Sequence, residues 1–75
     1  MTILVRYFAI LRERKGMDEE EIVLDKQITV SELYSKLFGE GQQGVRFAVN
    51  QNYVSRSHLL VDGDEVAFLP PLGGG

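Results

Sequence analysis

The end of the sequence, FLPPLGGG from Phe68 to Gly75, is the stretch whose residue types suggest a chemistry. Three successive glycines carry no side chain, so the terminal carboxylate of Gly75 can reach a reacting centre through a passage only as wide as a backbone. A carboxylate acylates poorly until it is converted to a mixed anhydride such as an acyl-adenylate, which then accepts a nucleophile. Gly75 is therefore the candidate reacting residue, with Gly73 and Gly74 as its narrow approach. Pro70 and Pro71 stiffen the exit from a hydrophobic segment, because each fixes φ and has no N–H. Extended at roughly 3.3–3.6 Å per residue, Pro70 to Gly75 reach about 20 Å, enough to enter the cleft of another protein.

Other candidates for chemistry are weak. His58 is the sole histidine and has no Cys or His companion nearby, so it is read as a loop residue rather than a metal ligand. Ser55 and Ser57 flank it without a recognisable nucleophile motif. Gly39, Gly41 and Gly44 follow a helical segment and lack the Lys-Ser/Thr pair of a phosphate-binding loop, so they are read as a flexible connection.

Composition narrows the function further. A chain of 75 residues forms one small domain and buries only about 60% of its unfolded surface, which leaves little room for an enclosed cavity. Chemistry is then expected at the surface or on a partner, not in an active site of its own. With 11 acidic residues against 8 basic ones the net charge is −3, which disfavours a polyanionic partner, so no nucleic acid is expected. No stretch has the length and apolarity to span a bilayer or the pattern of a signal peptide, and the absence of cysteine is compatible with a reducing compartment. The expectation is a soluble, cytoplasmic chain.

The elements that must hold the tail can be read from periodicity. Thr2 to Phe8 alternates Ile3, Val5 and Tyr7 against Leu4, Arg6 and Phe8, which predicts a strand with apolar groups on both faces, as in a central strand. Ala9 to Gly16 predicts a short helix stopped by glycine, and Glu21 to Leu24 a second strand with Ile22 and Leu24 on one face. The acidic run Met17 to Glu21 is read as a solvated turn. Thr29 followed by Glu32 forms a capping-box signature, and Val30, Leu33, Tyr34 and Leu37 recur at helical spacing up to Gly39. Val45 to Asn50 and Tyr53-Val54 predict further extended pieces. Asp62-Gly63 marks a turn before a last strand, Glu65 to Leu69, with Val66 and Phe68 on one face and Leu69 exposed where the tail leaves. One amphipathic helix must then cover a small mixed sheet: an α+β fold of the β-grasp type, though the pattern alone also permits other α+β arrangements. Residues 1–69 are read as the domain and 70–75 as its extended tail.

FAILRE (Phe8 to Glu13), AVNQNYV (Ala48 to Val54) and LVDGDEVAFLPPLGGG (Leu60 to Gly75) resemble the small sulfur-carrier subunit of molybdopterin synthase, and the likeness covers essentially the whole chain. The resemblance implies a ubiquitin-like β-grasp fold. It implies that an ATP-dependent activating enzyme adenylates the last glycine, that a sulfurtransferase supplies the sulfur of a thiocarboxylate, and that the tail enters the large synthase subunit. There sulfur passes to cyclic pyranopterin monophosphate. On this likeness Gly75 carries the sulfur, Pro70, Pro71 and Leu72 direct the tail, and Phe8 and Leu69 are partner-binding residues. No cofactor is bound by the chain itself; ATP is used by the activating partner. The sequence departs from the family at Leu69, often a second aromatic there, and at Gly73, commonly Ala, Ser or Thr. A thiamine-type sulfur carrier and a ubiquitin-like protein modifier share the tail and its activation, and both readings stay open, as does a plain interaction domain.

Overall fold

A computed structural model describes residues 1–39 and 44–71. The elements follow in the order β1 (Thr2–Tyr7), α1 (Ala9–Lys15), β2 (Glu19–Val23), α2 (Val30–Phe38), β3 (Arg46–Val49), β4 (Asn52–Val54) and β5 (Glu65–Leu69). The strands form one mixed sheet in the order β2-β1-β5-β3-β4. The first and last strands run parallel at its centre, with Leu4 opposite Glu65 and Tyr7 opposite Phe68. β3 runs antiparallel to β5, with Arg46 opposite Leu69 and Val49 opposite Val66.

Alternation decides which side of each strand is buried. Ile3, Val5 and Tyr7 of β1 and Val66 and Phe68 of β5 turn inward, and the buried Val30, Leu33 and Tyr34 of α2 belong to the same core. The helix forms where its cap says it should: Thr29 Oγ1 accepts the Glu32 N–H at 3.0 Å, and the Glu32 carboxylate accepts the Thr29 N–H at 2.8 Å. Leu37, read with the same stripe, is only half-buried against the core, because it lies near the helix end. Phe68 stands at the meeting point of the aromatic side chains, edge-on to Tyr34 at 5.2 Å and to Phe47 at 5.7 Å between ring centroids. The strand that carries the tail is thus anchored by a wholly buried side chain one residue before its end.

The second strand differs from its sequence reading. Glu19, Glu20 and Glu21 are not a solvated turn but the first three residues of β2, which pairs antiparallel with β1 from Arg6–Glu19 to Thr2–Val23. Cations face the acidic strand: Arg6 Nε lies 3.8 Å from Glu19, and Lys15 Nζ lies 3.7 Å from Glu20. Leu24 falls just beyond the strand, yet it is buried as its pattern requires. The NQN turn is a two-residue hairpin in which Asn50 and Gln51 take φ of 51° and 71°, the left-handed pair that matches strand twist.

Candidate functional site

The tail leaves the sheet at the carboxyl end of β5, and the neighbouring strands determine what surrounds it. Continuing the parallel register of β1 and β5 by one residue sets Phe8 beside Leu69, and the antiparallel register sets Arg46 on the other side of Leu69. Two of the sequence-predicted partner residues, Phe8 and Leu69, are therefore brought together, and Pro70 and Pro71 follow directly from them. Leu69 is half-buried rather than exposed, because β1 and β3 flank it on both sides. Phe8 is 40% exposed and sits where the backbone turns from β1 into α1, Ala9 taking φ of 51°. Leu72, Gly73, Gly74 and Gly75 lie outside the described residues.

Phe8 and Leu69 belong to the side of the sheet opposite the core. The same alternation places Leu4, Arg6, Ala67 and Ala48 there, and Tyr53 opposite Ala48. Tyr53 is 64% exposed, and the Arg46 guanidinium lies 4.4 Å from its ring centroid, an amphipathic pair on the open surface. Arg6 bridges to Glu65 at 3.3 Å as well as to Glu19. The open face thus presents apolar and aromatic groups next to the tail, with charges paired around them. Sequence reasoning missed Arg46 and Tyr53. The alternation along Val45 to Asn50 does mark Arg46 as outward, but nothing local reveals that a three-residue strand sets Tyr53 beside it.

The other end of β5 is held by polar groups. Asp64 is buried, and its carboxylate accepts from the Asn50 amide at 3.0 Å and from the Val61 N–H at 2.9 Å. Asn50 in turn accepts the Glu65 N–H at 3.0 Å, and Asp62 accepts the Thr2 N–H at 2.7 Å. These bonds satisfy the donors that a turn between buried elements leaves over, and they fix the register in which β5 delivers the tail.

Among the described residues no group of three His, Cys, Asp or Glu side chains could hold a metal ion. His58 is half-buried in the connection before β5, where its carbonyl accepts the Val30 N–H and its N–H donates to the Ser55 carbonyl; its backbone supports the start of α2. Tyr7 carries the most perturbed titratable group. Its buried hydroxyl has no hydrogen-bond partner of good geometry, and burial, reinforced by the nearby Glu20 carboxylate, pushes it well above the usual tyrosine range. It remains a neutral phenol, packed edge-on against Phe38.

A mixed five-stranded sheet with parallel central strands, a helix across one face and a tail leaving the last strand defines a ubiquitin-like β-grasp domain. The comparisons with known proteins agree and go further. Residues 5–75 match the model of the ThiS family, and the chain belongs to that family. The molybdopterin synthase sulfur carrier subunit of Escherichia coli is 40% identical, the alignment covering 97% of this chain and 99% of that protein. A putative molybdopterin converting factor, subunit 1, from Pyrococcus furiosus superposes with a TM-score of 0.78 at 37% identity, over 96% of this chain and 99% of that one. A complex of subunits 1 and 2 of molybdopterin-converting factor from Helicobacter pylori contains a chain that matches with a TM-score of 0.65 at 25% identity, over the full length of both.

Proposed function

We propose that this chain is the sulfur carrier subunit of a molybdopterin synthase, with the Gly75 carboxylate as the group that is loaded and unloaded. The observation that carries the reading is that the family match runs through residue 75, so the glycine end belongs to what the family shares. The names of the relatives from Escherichia coli and Pyrococcus furiosus support the pathway, and the Helicobacter pylori complex supports docking on a large subunit.

A Gly75 carboxylate oxygen attacks the α-phosphorus of ATP in an activating enzyme, and pyrophosphate leaves. A persulfide carried by a sulfurtransferase then attacks the acyl-adenylate carbonyl and AMP leaves, giving an acyl disulfide; a thiol attacks the donor-side sulfur of that bond, forming a disulfide with the donor and releasing the thiocarboxylate. In the large subunit the sulfur passes to cyclic pyranopterin monophosphate, and water restores the carboxylate oxygen. Two loaded carriers complete one dithiolene. This chain supplies the reacting carbonyl, a tail without side-chain width, and a docking face around Phe8, Leu69, Arg46 and Tyr53; the catalytic groups belong to its partners, as does the ATP.

Intact mass tests the reading directly. After incubation with the activating enzyme, ATP and a sulfur donor, the carrier gains the mass difference of one oxygen replaced by sulfur, and the loaded chain with the large subunit converts cyclic pyranopterin monophosphate to molybdopterin. A covalent adduct on a lysine of another protein, in place of thiocarboxylate, would replace this reading with that of a modifier.

A further inference from the structure

We infer that Gly44 is a positioning residue for the tail: it forms the seat on which the Pro71 ring rests, and its lack of a side chain sets the direction in which the tail leaves the sheet. The inference rests on the carrier reading above. The antiparallel register of β3 and β5, carried two residues past the Arg46–Leu69 pair, sets Gly44 opposite Pro71. Pro71 has no N–H with which to extend the ladder, so packing takes over where pairing must stop. A Cβ placed on Gly44 would lie 3.1 Å from Pro71 Cβ and 3.2 Å from its Cγ, whereas carbon atoms in good contact stand about 3.5–4.0 Å apart. Gly44 also has φ of 75°, which glycine adopts without cost. Gly44 closes the connection that follows α2, and this contact gives it a role beyond linking.

A methyl group at position 44 would push the proline ring by a few tenths of an ångström. The last four residues set out from that ring, so its tilt changes the direction in which the carboxylate begins its approach to a partner. Misplacement by about 1 Å can cost on the order of a hundredfold in rate, because the reacting carboxylate must stand in line with its partner atom.

The test separates contact from backbone strain. Gly16 has nearly the same φ, 74°, but a Cβ there meets nothing within 4 Å, so Gly16→Ala carries left-handed strain without the clash. Gly44→Ala is expected to lower the kcat for thiocarboxylation at least about tenfold relative to Gly16→Ala, with little change in the KM for carrier, because the docking face is untouched. Pro71→Gly removes the ring, and in that background Gly44→Ala should cost no more than Gly16→Ala does. Proton NMR of the free carrier should show a contact between the Gly44 Hα atoms and the Pro71 ring that is lost in Gly44→Ala. Equal rates for Gly44→Ala and Gly16→Ala, independent losses in the double variant, or absence of the contact in the wild-type chain would each overturn the seat. A Gly44→Ala chain that fails to fold while Gly16→Ala folds would do so as well, since the glycine would then serve the domain rather than the tail. If the wild-type chain takes up no sulfur, the carrier reading falls and the role of the seat falls with it.

Discussion

The two faces of β5 share one backbone and serve different ends. Val66 and Phe68 are wholly buried in the core, while Glu65, Ala67 and Leu69, one residue out of phase, are half-buried on the open side. If the open face docks a partner as proposed, the pleat separates folding from recognition, because neighbouring side chains of a strand point to opposite faces. A substitution on one face should therefore move stability and leave docking alone, and one on the other face should do the reverse. The tail continues the same strand and inherits its direction from both.

The largest effect expected comes from residues on neither face. Deleting Gly74 and Gly75 should abolish sulfur transfer while leaving the melting midpoint nearly unchanged, since glycine has no side chain to bury. Adding one alanine after Gly75 should be as severe: it moves the carboxylate by about 3.5 Å and sets a methyl group beside it. Both chains should still bind the large subunit by calorimetry. Thiocarboxylation of the extended chain without prior removal of the alanine would sink the terminal-glycine chemistry.

Next comes the inward face. Phe68→Ala should cost about 3–5 kcal/mol in denaturant unfolding, a large share of the roughly 5–15 kcal/mol available to a domain. Leu33→Ala, fully buried, should cost about 2–5 kcal/mol, and the half-buried Leu37→Ala clearly less. If Leu37→Ala proved as costly as Leu33→Ala, the helix would be seated more deeply than its exposure indicates.

The outward face should show the converse. Leu69→Asp and Tyr53→Asp each place a charge where a partner would bury an apolar or aromatic group, and each should weaken binding to the large subunit about tenfold or more, with unfolding midpoints close to wild type. Unchanged affinity for a folded Leu69→Asp chain would remove that residue from the docking face.

The sequence makes some of this legible and not the rest, for reasons that differ by residue. The start of α2 is readable because Thr29 and Glu32 satisfy each other within one turn, and the faces of β5 because their pattern has period two. The edge of β2 is not, because the cations that face Glu19 and Glu20, Arg6 and Lys15, reach them only after folding. The placement of β5 beside β1 joins the two ends of the chain, and no local pattern carries a partner's address. Tyr53 beside Arg46 and Pro71 on Gly44 are likewise products of register. The glycine tail stands out for the opposite reason: the chemistry proposed for it lies in the residues themselves and needs no neighbour from the same chain.

The smallest effect sharpens the comparison from the helix side, where the capping box can be titrated without touching the docking face. The Glu32 carboxylate accepts the Thr29 backbone N–H, and this bond, with the Thr29 side chain adding to it, holds its pKa below the ordinary glutamate value. A depressed folded-state pKa means that the ionised form is favoured by folding, so the contribution is complete above the unfolded value of about 4.3 and is lost as pH falls through the lower folded value. Glu32→Gln keeps an oxygen that can accept the Thr29 N–H but cannot titrate. The difference in melting temperature between wild type and Glu32→Gln should therefore be small and steady near neutral pH and shrink between about pH 5 and pH 3. The other carboxylates titrate equally in both chains and cancel in that difference. Affinity for the large subunit at neutral pH should match between the two, because α2 packs on the inward face. A difference that stayed constant down to pH 3 would show that the cap acts by hydrogen bonding alone, and a loss of affinity would mean that the helix side of the domain also meets the partner.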